Sequence, residues 1–117
     1  IMSRIVREAE STIAYPPLFE ELKSLIPNDC NISQTVATSA VNASLEPHIW
    51  AIVCLTGSGD TAKRVAKFRP QVPILAVTRV PHIARQLHLH RGCYPLVYEQ
   101  PQLADWKADV EERIRWA

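Results

Sequence analysis

Apolar residues recur at helical spacing from the start of the chain: Ile5, Val6, Ala9 and Ile13 fall on one stripe of a predicted first helix. Pro16-Pro17 interrupts that run and suits the opening turn of a second helix, where a missing N–H has no intrahelical partner to lose. Leu18, Leu22 and Leu25 give this second helix, 18–25, one predicted apolar face, and Pro27-Asn28-Asp29 turns the chain after it. A third helix is predicted over 32–45. It is rich in Ala, Ser, Thr and Val, with Val36, Ala40 and Ala43 or Ser44 along one stripe, and its small side chains permit close approach of another backbone.

From Trp50 the period changes. Residues 50–55 and 72–77 are short continuous apolar runs separated by a helical segment over 61–68, the pattern of strands buried on both faces of a parallel sheet. A third unit follows, with a helix over 81–89, a turn at Arg91-Gly92, a strand over 94–98 and a last helix over 105–116 carrying Trp106, Val110 and Ile114 or Arg113 on successive turns. Three helices followed by three strand-helix units predict an α/β fold, a three-layer αβα arrangement with a small, mostly parallel sheet. Residues 1–117 are read as one domain.

Composition narrows the function. A formal net charge of +1 with 21% charged residues leaves no bulk electrostatic footprint for nucleic acid. The apolar run 49–55 is too short to span a bilayer, so no membrane partner is expected. Cys30, Cys54 and Cys93 form an odd set without C-x-x-C spacing, which favours free thiols and a reducing, cytoplasmic setting.

The segment CLTGSGDTAKRVAKFRP, 54–70, carries the most specific candidate chemistry. Gly57-x-Gly59-x-x-Ala62, after a strand and opening a helix, has the local form of the dinucleotide fingerprint, but the next strand ends in Thr78-Arg79 and supplies no acid for a ribose. An arginine there suits a ribose 2′-phosphate instead. A second reading places a phosphate ester on the N–H groups of 58–61, aided by the hydroxyls of Thr56, Ser58 and Thr61. A third makes the same residues an ordinary helix start, with Ser58 as N-cap and Asp60 satisfying the first turn.

No other constellation points to catalysis. His88 and His90, two apart, fall on different sides of a helix and lack Cys, Asp or Glu at ligand spacing, so no metal site is expected. No nucleophile elbow and no carboxylate cluster is present, and no catalytic residue is assigned. Lys63, Arg64, Lys67 and Arg69 read as a solvated helix face, while Arg79, Arg85 and Arg91 stand at element ends where they could meet carboxylates across a subunit interface.

Beyond these local patterns, the order Ile5-Val-Arg-Glu-Ala-Glu10, Leu18-Phe-Glu-Glu21, Cys54-Leu-Thr-x-Ser-Gly59, Val65-Ala-Lys-Phe-Arg-Pro70, Pro73-Ile-Leu-Ala-Val-Thr-Arg79 and Ala84-Arg-Gln-x-His-Leu-x-Arg-Gly92, with the Asp105-Trp106 to Asp109-Val110 helix, resembles the C-terminal domain of pyruvate kinase over nearly the whole chain. The resemblance implies a regulatory and oligomerisation domain, truncated at both ends and lacking the terminal strands of the family sheet, so that a pairing-competent edge is exposed. It implies a glycolytic parent transferase that moves a phosphoryl group from phosphoenolpyruvate to ADP with Mg²⁺ and K⁺ in a barrel not contained in this chain. It further implies homotetrameric partners packing through C-terminal domains, with helix 32–45 placed where that contact is expected. Cofactors are expected in the barrel and none in this segment.

In allosteric members the loop matching 56–61 receives one phosphate of fructose 1,6-bisphosphate, so the resemblance assigns Thr56, Ser58, Gly59 and Thr61 as candidate effector-binding residues. Two positions depart from the family pattern: Gly57 stands where some sugar-responsive members carry a lysine or hydroxyl residue, and Asp60 where many animal enzymes carry arginine. A lost cation and a gained anion each weaken a dianion site by roughly 1 kcal/mol. Weak effector binding is the resulting expectation.

Overall fold

The computed structural model describes residues 1–27 and 31–117. The element order is α1 (Met2–Glu10), α2 (Tyr15–Leu25), α3 (Ile32–Ala43), β1 (Ile52–Leu55), α4 (Asp60–Lys67), β2 (Ile74–Thr78), α5 (Pro81–Leu87), β3 (Cys93–Val97) and α6 (Trp106–Trp116). The predicted turn at Asn28-Asp29 and the thiol of Cys30 lie outside the described residues.

The three strands form one parallel sheet in the order β1-β2-β3. Register aligns Ile52 with Ile74 and Cys93, and Cys54 with Ala76 and Pro95. Because side chains alternate along a strand, these residues share one face, and most of them join Phe19, Ala37, Val41, Ala62, Val65, Ala66, Phe68 and Leu87 in one core. Helices α2 to α5 thus cover that face. The small residues Ala62 and Ala66 on the inner side of α4 let it lie close to the sheet.

The expectation of strands buried on both faces holds for β2 alone. On the opposite face Val53 is 41% and Tyr94 58% exposed, because β1 and β3 are both edges and α6 reaches that side mainly along β1. Edge strand β3 carries Pro95, which lacks the N–H needed to recruit a further strand at that position.

Three predicted helix faces also need correction. In α2 the buried anchor is Phe19, and Leu25 is exposed; Phe19 meets Phe68 with ring centroids 5.8 Å apart at 58°, a tilted contact. In α3 the buried stripe is Gln34, Ala37, Val41 and Ser44, leaving Val36 outside. In α6 Trp106 and Ile114 are exposed and the buried residue is Asp109. The helical period holds in each; the side turned inward is decided by what lies opposite.

Helix starts follow their residues. Asn31 accepts the N–H of Ser33 at 3.0 Å and caps α3, while Asp105 accepts the N–H of Lys107 at 3.3 Å and caps α6. At the end of α4, Arg69 adopts φ 51°, the left-handed position that commonly closes a helix and that glycine would occupy without strain. Replacing Phe19 by Ala removes a ring from the α2–α4 contact and is expected to cost about 3–5 kcal/mol. Urea unfolding should show a lower midpoint with little change in slope; an unaltered midpoint would contradict this packing.

Candidate functional site

The loops that follow β1, β2 and β3 lie together at the C-terminal edge of the sheet, where open α/β folds generally hold ligands. Backbone pairing continues into them: Thr56 donates its N–H to the Val77 carbonyl at 2.9 Å, and Tyr98 donates to the Thr78 carbonyl at 2.8 Å. Thr56 is buried, and its hydroxyl oxygen accepts the N–H of Gly59 at 2.8 Å.

That bond sets the loop. Gly59, at φ 88°, is the residue preceding α4, so the cap is Gly59 and not the predicted Ser58. Glycine is required on two counts: the backbone is left-handed, and a Cβ would sit 3.1 Å from Ile83 Cγ2 and 3.3 Å from Leu87 Cδ2. The hydroxyl of Ser58 instead donates to the Asp60 carboxylate at 3.0 Å and receives a longer contact from the Asp60 N–H at 3.4 Å. Lys63 approaches Asp60 at 3.9 Å in an exposed pair worth little in water. The four candidate residues are therefore brought together in one turn, with Thr61 exposed on the first turn of α4. Within that turn the Gly59 N–H and the Ser58 hydroxyl proton already have partners.

Beside this loop stands a charged cluster that the sequence did not single out. Asp109 is 1% exposed and receives Arg79 on both oxygens, with Nη1 to Oδ2 at 3.1 Å. The Leu103 N–H reaches Oδ1 at 3.0 Å, and Arg113 Nη2 lies 2.9 Å from Oδ2. Arg79 also donates Nε to the Gln100 carbonyl at 3.1 Å and lies over the Tyr98 ring, 5.1 Å from its centroid. The hydrogen bond from Arg79, then that from Leu103, hold the Asp109 carboxyl down at about 2, against the opposing effect of burial. Burial, reinforced by Glu112, pushes the Tyr98 phenol up.

Two findings from comparison with known proteins bear on this edge. The family described as "Pyruvate kinase, alpha/beta domain" matches residues 34–117. The chain is also 48% identical to a pyruvate kinase of Candida albicans over 109 residues, covering 93% of this chain and 22% of that protein. This chain belongs to the pyruvate kinase family. It is 45% identical to the Agaricus bisporus pyruvate kinase, with 92% of this chain and 21% of that protein covered, and 44% identical to that of Schizosaccharomyces pombe, with 98% and 23% covered. It thus spans about a fifth of the length of the curated relatives it matches.

Gly57 has no left-handed φ and a Cβ on it would meet no protein atom within 4 Å, so the turn itself does not demand glycine there. Arg79, the residue suited to a ribose phosphate, is engaged by Asp109. It pairs inside its own chain, as does Arg91, which reaches Glu10 at 3.3 Å and the Tyr15 hydroxyl at 3.1 Å. These partners are 30, 81 and 76 positions away, beyond the reach of any local motif.

Other candidate chemistry is quiet or elsewhere. Cys54 and Cys93 are buried free thiols; burial, with Cys93 adding a smaller effect, pushes Cys54 up to about 12, so the reactive thiolate is suppressed. Among the described residues no group of three or more His, Cys, Asp and Glu could hold a metal ion. A cavity of about 760 Å³ lined by Lys67, Arg69, His88 and His90 lies at the other end of the strands, and none of Thr56, Ser58, Gly59 and Thr61 borders it.

Asp109 yields a pH test. Its unfolded carboxyl titrates near ~3.9, and its folded value is depressed to about 2. Its stabilising contribution is therefore fully present above the unfolded value and is lost as pH falls through the folded one. Thermal melts between pH 5 and 2 should show a steeper acid loss for the native protein than for Asp109→Asn, which has no carboxyl to protonate at that position. Equal slopes would remove Asp109 from the account.

Proposed function

We propose that this chain is the regulatory and oligomerisation segment of a pyruvate kinase, with the loop 56–61 as an effector position of reduced affinity for phosphate. The observation that carries the assembly role is the outer side of α3. Its inner stripe is packed against the domain, yet Ile32 is 80% and Val36 60% exposed, one helical turn apart. Two apolar side chains on a surface otherwise built of Ser, Thr, Asn and Ala suit helix-to-helix contact with another subunit, and the small neighbours permit close approach.

The effector role rests on the position of the loop at the start of α4, because α4 packs directly on α3. A ligand that orders the 56–61 turn bears on the same helix that supports the proposed subunit contact. Two ligands of one element are linked through its free energy. Fructose 1,6-bisphosphate is the candidate effector, with one phosphate received by Thr56, Ser58, Gly59 and Thr61. Asp60 opposes it by occupying the Ser58 hydroxyl and by placing a negative charge in the first turn.

The activity belongs to the whole enzyme: phosphoryl transfer from phosphoenolpyruvate to ADP, with Mg²⁺ and K⁺ held by the barrel and not by these residues. Partners are further pyruvate kinase subunits in a homotetramer, and neither nucleic acid nor membrane has a role. Among the described residues no helix is long and apolar enough to cross a membrane. A cytoplasmic setting accords with the buried unpaired thiols of Cys54 and Cys93.

Two experiments on the full-length protein test this reading. Val36→Glu introduces a charge into the proposed contact and should shift the sedimenting species to smaller assemblies while the circular dichroism stays unchanged; an unaltered sedimentation coefficient would count against an α3 interface. Asp60→Ser removes the competing acid, and calorimetric titration with fructose 1,6-bisphosphate should show affinity raised by about five-fold, the equivalent of ~1 kcal/mol. Affinity that stays the same or falls would exclude Asp60 as the antagonist.

A further inference from the structure

Lys63, Lys67 and Arg69, which the sequence presents as a solvated helix face, border the cavity of about 760 Å³ at the end of the strands away from the 56–61 loop. His88, His90 and Arg91 complete its charged lining, and no Asp or Glu borders it. Composition does not account for so one-sided a lining, since the whole chain carries a net charge of only +1. Arg64, the remaining cation of the same run, does not border the cavity and reaches Gln34 instead.

Two of these cations are engaged: Arg91 reaches Glu10 at 3.3 Å, and Lys63 approaches Asp60 at 3.9 Å. Among the described residues Lys67 and Arg69 form no ion pair. Positive charge at the C-terminal end of α4 suits the helix dipole, and Lys67 supplies it. The dipole does not explain Arg69. That residue follows Phe68, the cap of α4, at φ 51°, a left-handed conformation that glycine adopts without strain and other residues disfavour. A strained residue at the wall of a cavity points to a use for its guanidinium.

The turn before β3 adds donors to the same cavity. Gly92 is left-handed at φ 74°, and among the described residues the N–H groups of Arg91 and Gly92 meet no main-chain carbonyl. Successive N–H groups beside a left-handed residue form a concavity that suits an anion. Main-chain N–H groups, an ammonium and a guanidinium fork together match phosphate oxygens. Cations on both α4 and the turn call for more than one phosphate, and the volume is that of a small-molecule site.

We propose that this cavity binds a short linear polyphosphate, with phosphates received by Lys67 and Arg69 on one side and by the Arg91-Gly92 turn on the other. None of Thr56, Ser58, Gly59 and Thr61 borders it, so the site is independent of the effector position.

The test is calorimetric titration of the full-length protein with tripolyphosphate, at constant ionic strength and with EDTA present, beside orthophosphate and a short polyglutamate peptide. Tripolyphosphate should bind saturably, and the other two about ten-fold more weakly. Lys67→Gln should weaken tripolyphosphate binding by about ten-fold, the loss expected for one charge-assisted contact. Arg69→Gly should weaken it as much while raising the thermal midpoint, because glycine accepts the left-handed backbone. That opposition of affinity and stability is not expected of an arginine that only ends a helix. Absence of saturable tripolyphosphate binding, peptide or orthophosphate binding as tight, affinity unchanged in Lys67→Gln or Arg69→Gly, or a midpoint lowered in Arg69→Gly would each overturn the proposal.

Discussion

β2 has a neighbouring strand on each side and side chains buried on both faces, with Ile74, Ala76, Val77 and Thr78 sealed from water. A main chain so enclosed must find all its hydrogen-bond partners within the protein, and this requirement sets the register of both edge strands. It extends past the strand ends, since the Val77 carbonyl receives Thr56 and the Thr78 carbonyl receives Tyr98. The start of the effector-loop candidate and the chain beyond β3 are thereby fixed to consecutive residues of one strand. Arg79 is the next residue after them, which is why a charged cluster and a glycine turn occupy the same edge.

Electrostatics at that edge is largely internal. Arg79 and Arg113 converge on Asp109, and the Leu103 N–H completes its coordination, so a nearly inaccessible carboxylate is surrounded by donors. The arrangement ties α6 back to the end of β2. Asp60 is likewise engaged, meeting Ser58 and approaching Lys63. At both places a carboxylate and its donors satisfy one another within the chain.

The order and type of every predicted element was legible in the sequence. Apolar period distinguishes 52–55 and 74–78 from the helices beside them, and prolines and glycines mark the breaks at Pro16, Pro81 and Gly92. Much of the candidate loop was legible too, because Thr56 and Gly59 act on residues only three apart. The identity of the cap was not: Ser58 has the right chemistry, but the Thr56 hydroxyl took the Gly59 N–H and turned that glycine left-handed ahead of α4. The choice depends on the bend at the end of β1, which no residue type encodes alone.

Sequence by itself determined the α/β class, the strand-helix alternation and, through the shared order of its motifs, membership in the pyruvate kinase family. Those properties rest on local periodicity and on residues kept in register along the chain. Tertiary structure alone decided that Phe19 and not Leu25 anchors α2, that Val36 faces outward and that Asp109 is enclosed by two arginines. A helix presents several faces of nearly equal apolar character. Which one is buried, and which charges meet, follows from elements tens of residues away in sequence and a few ångströms away in space.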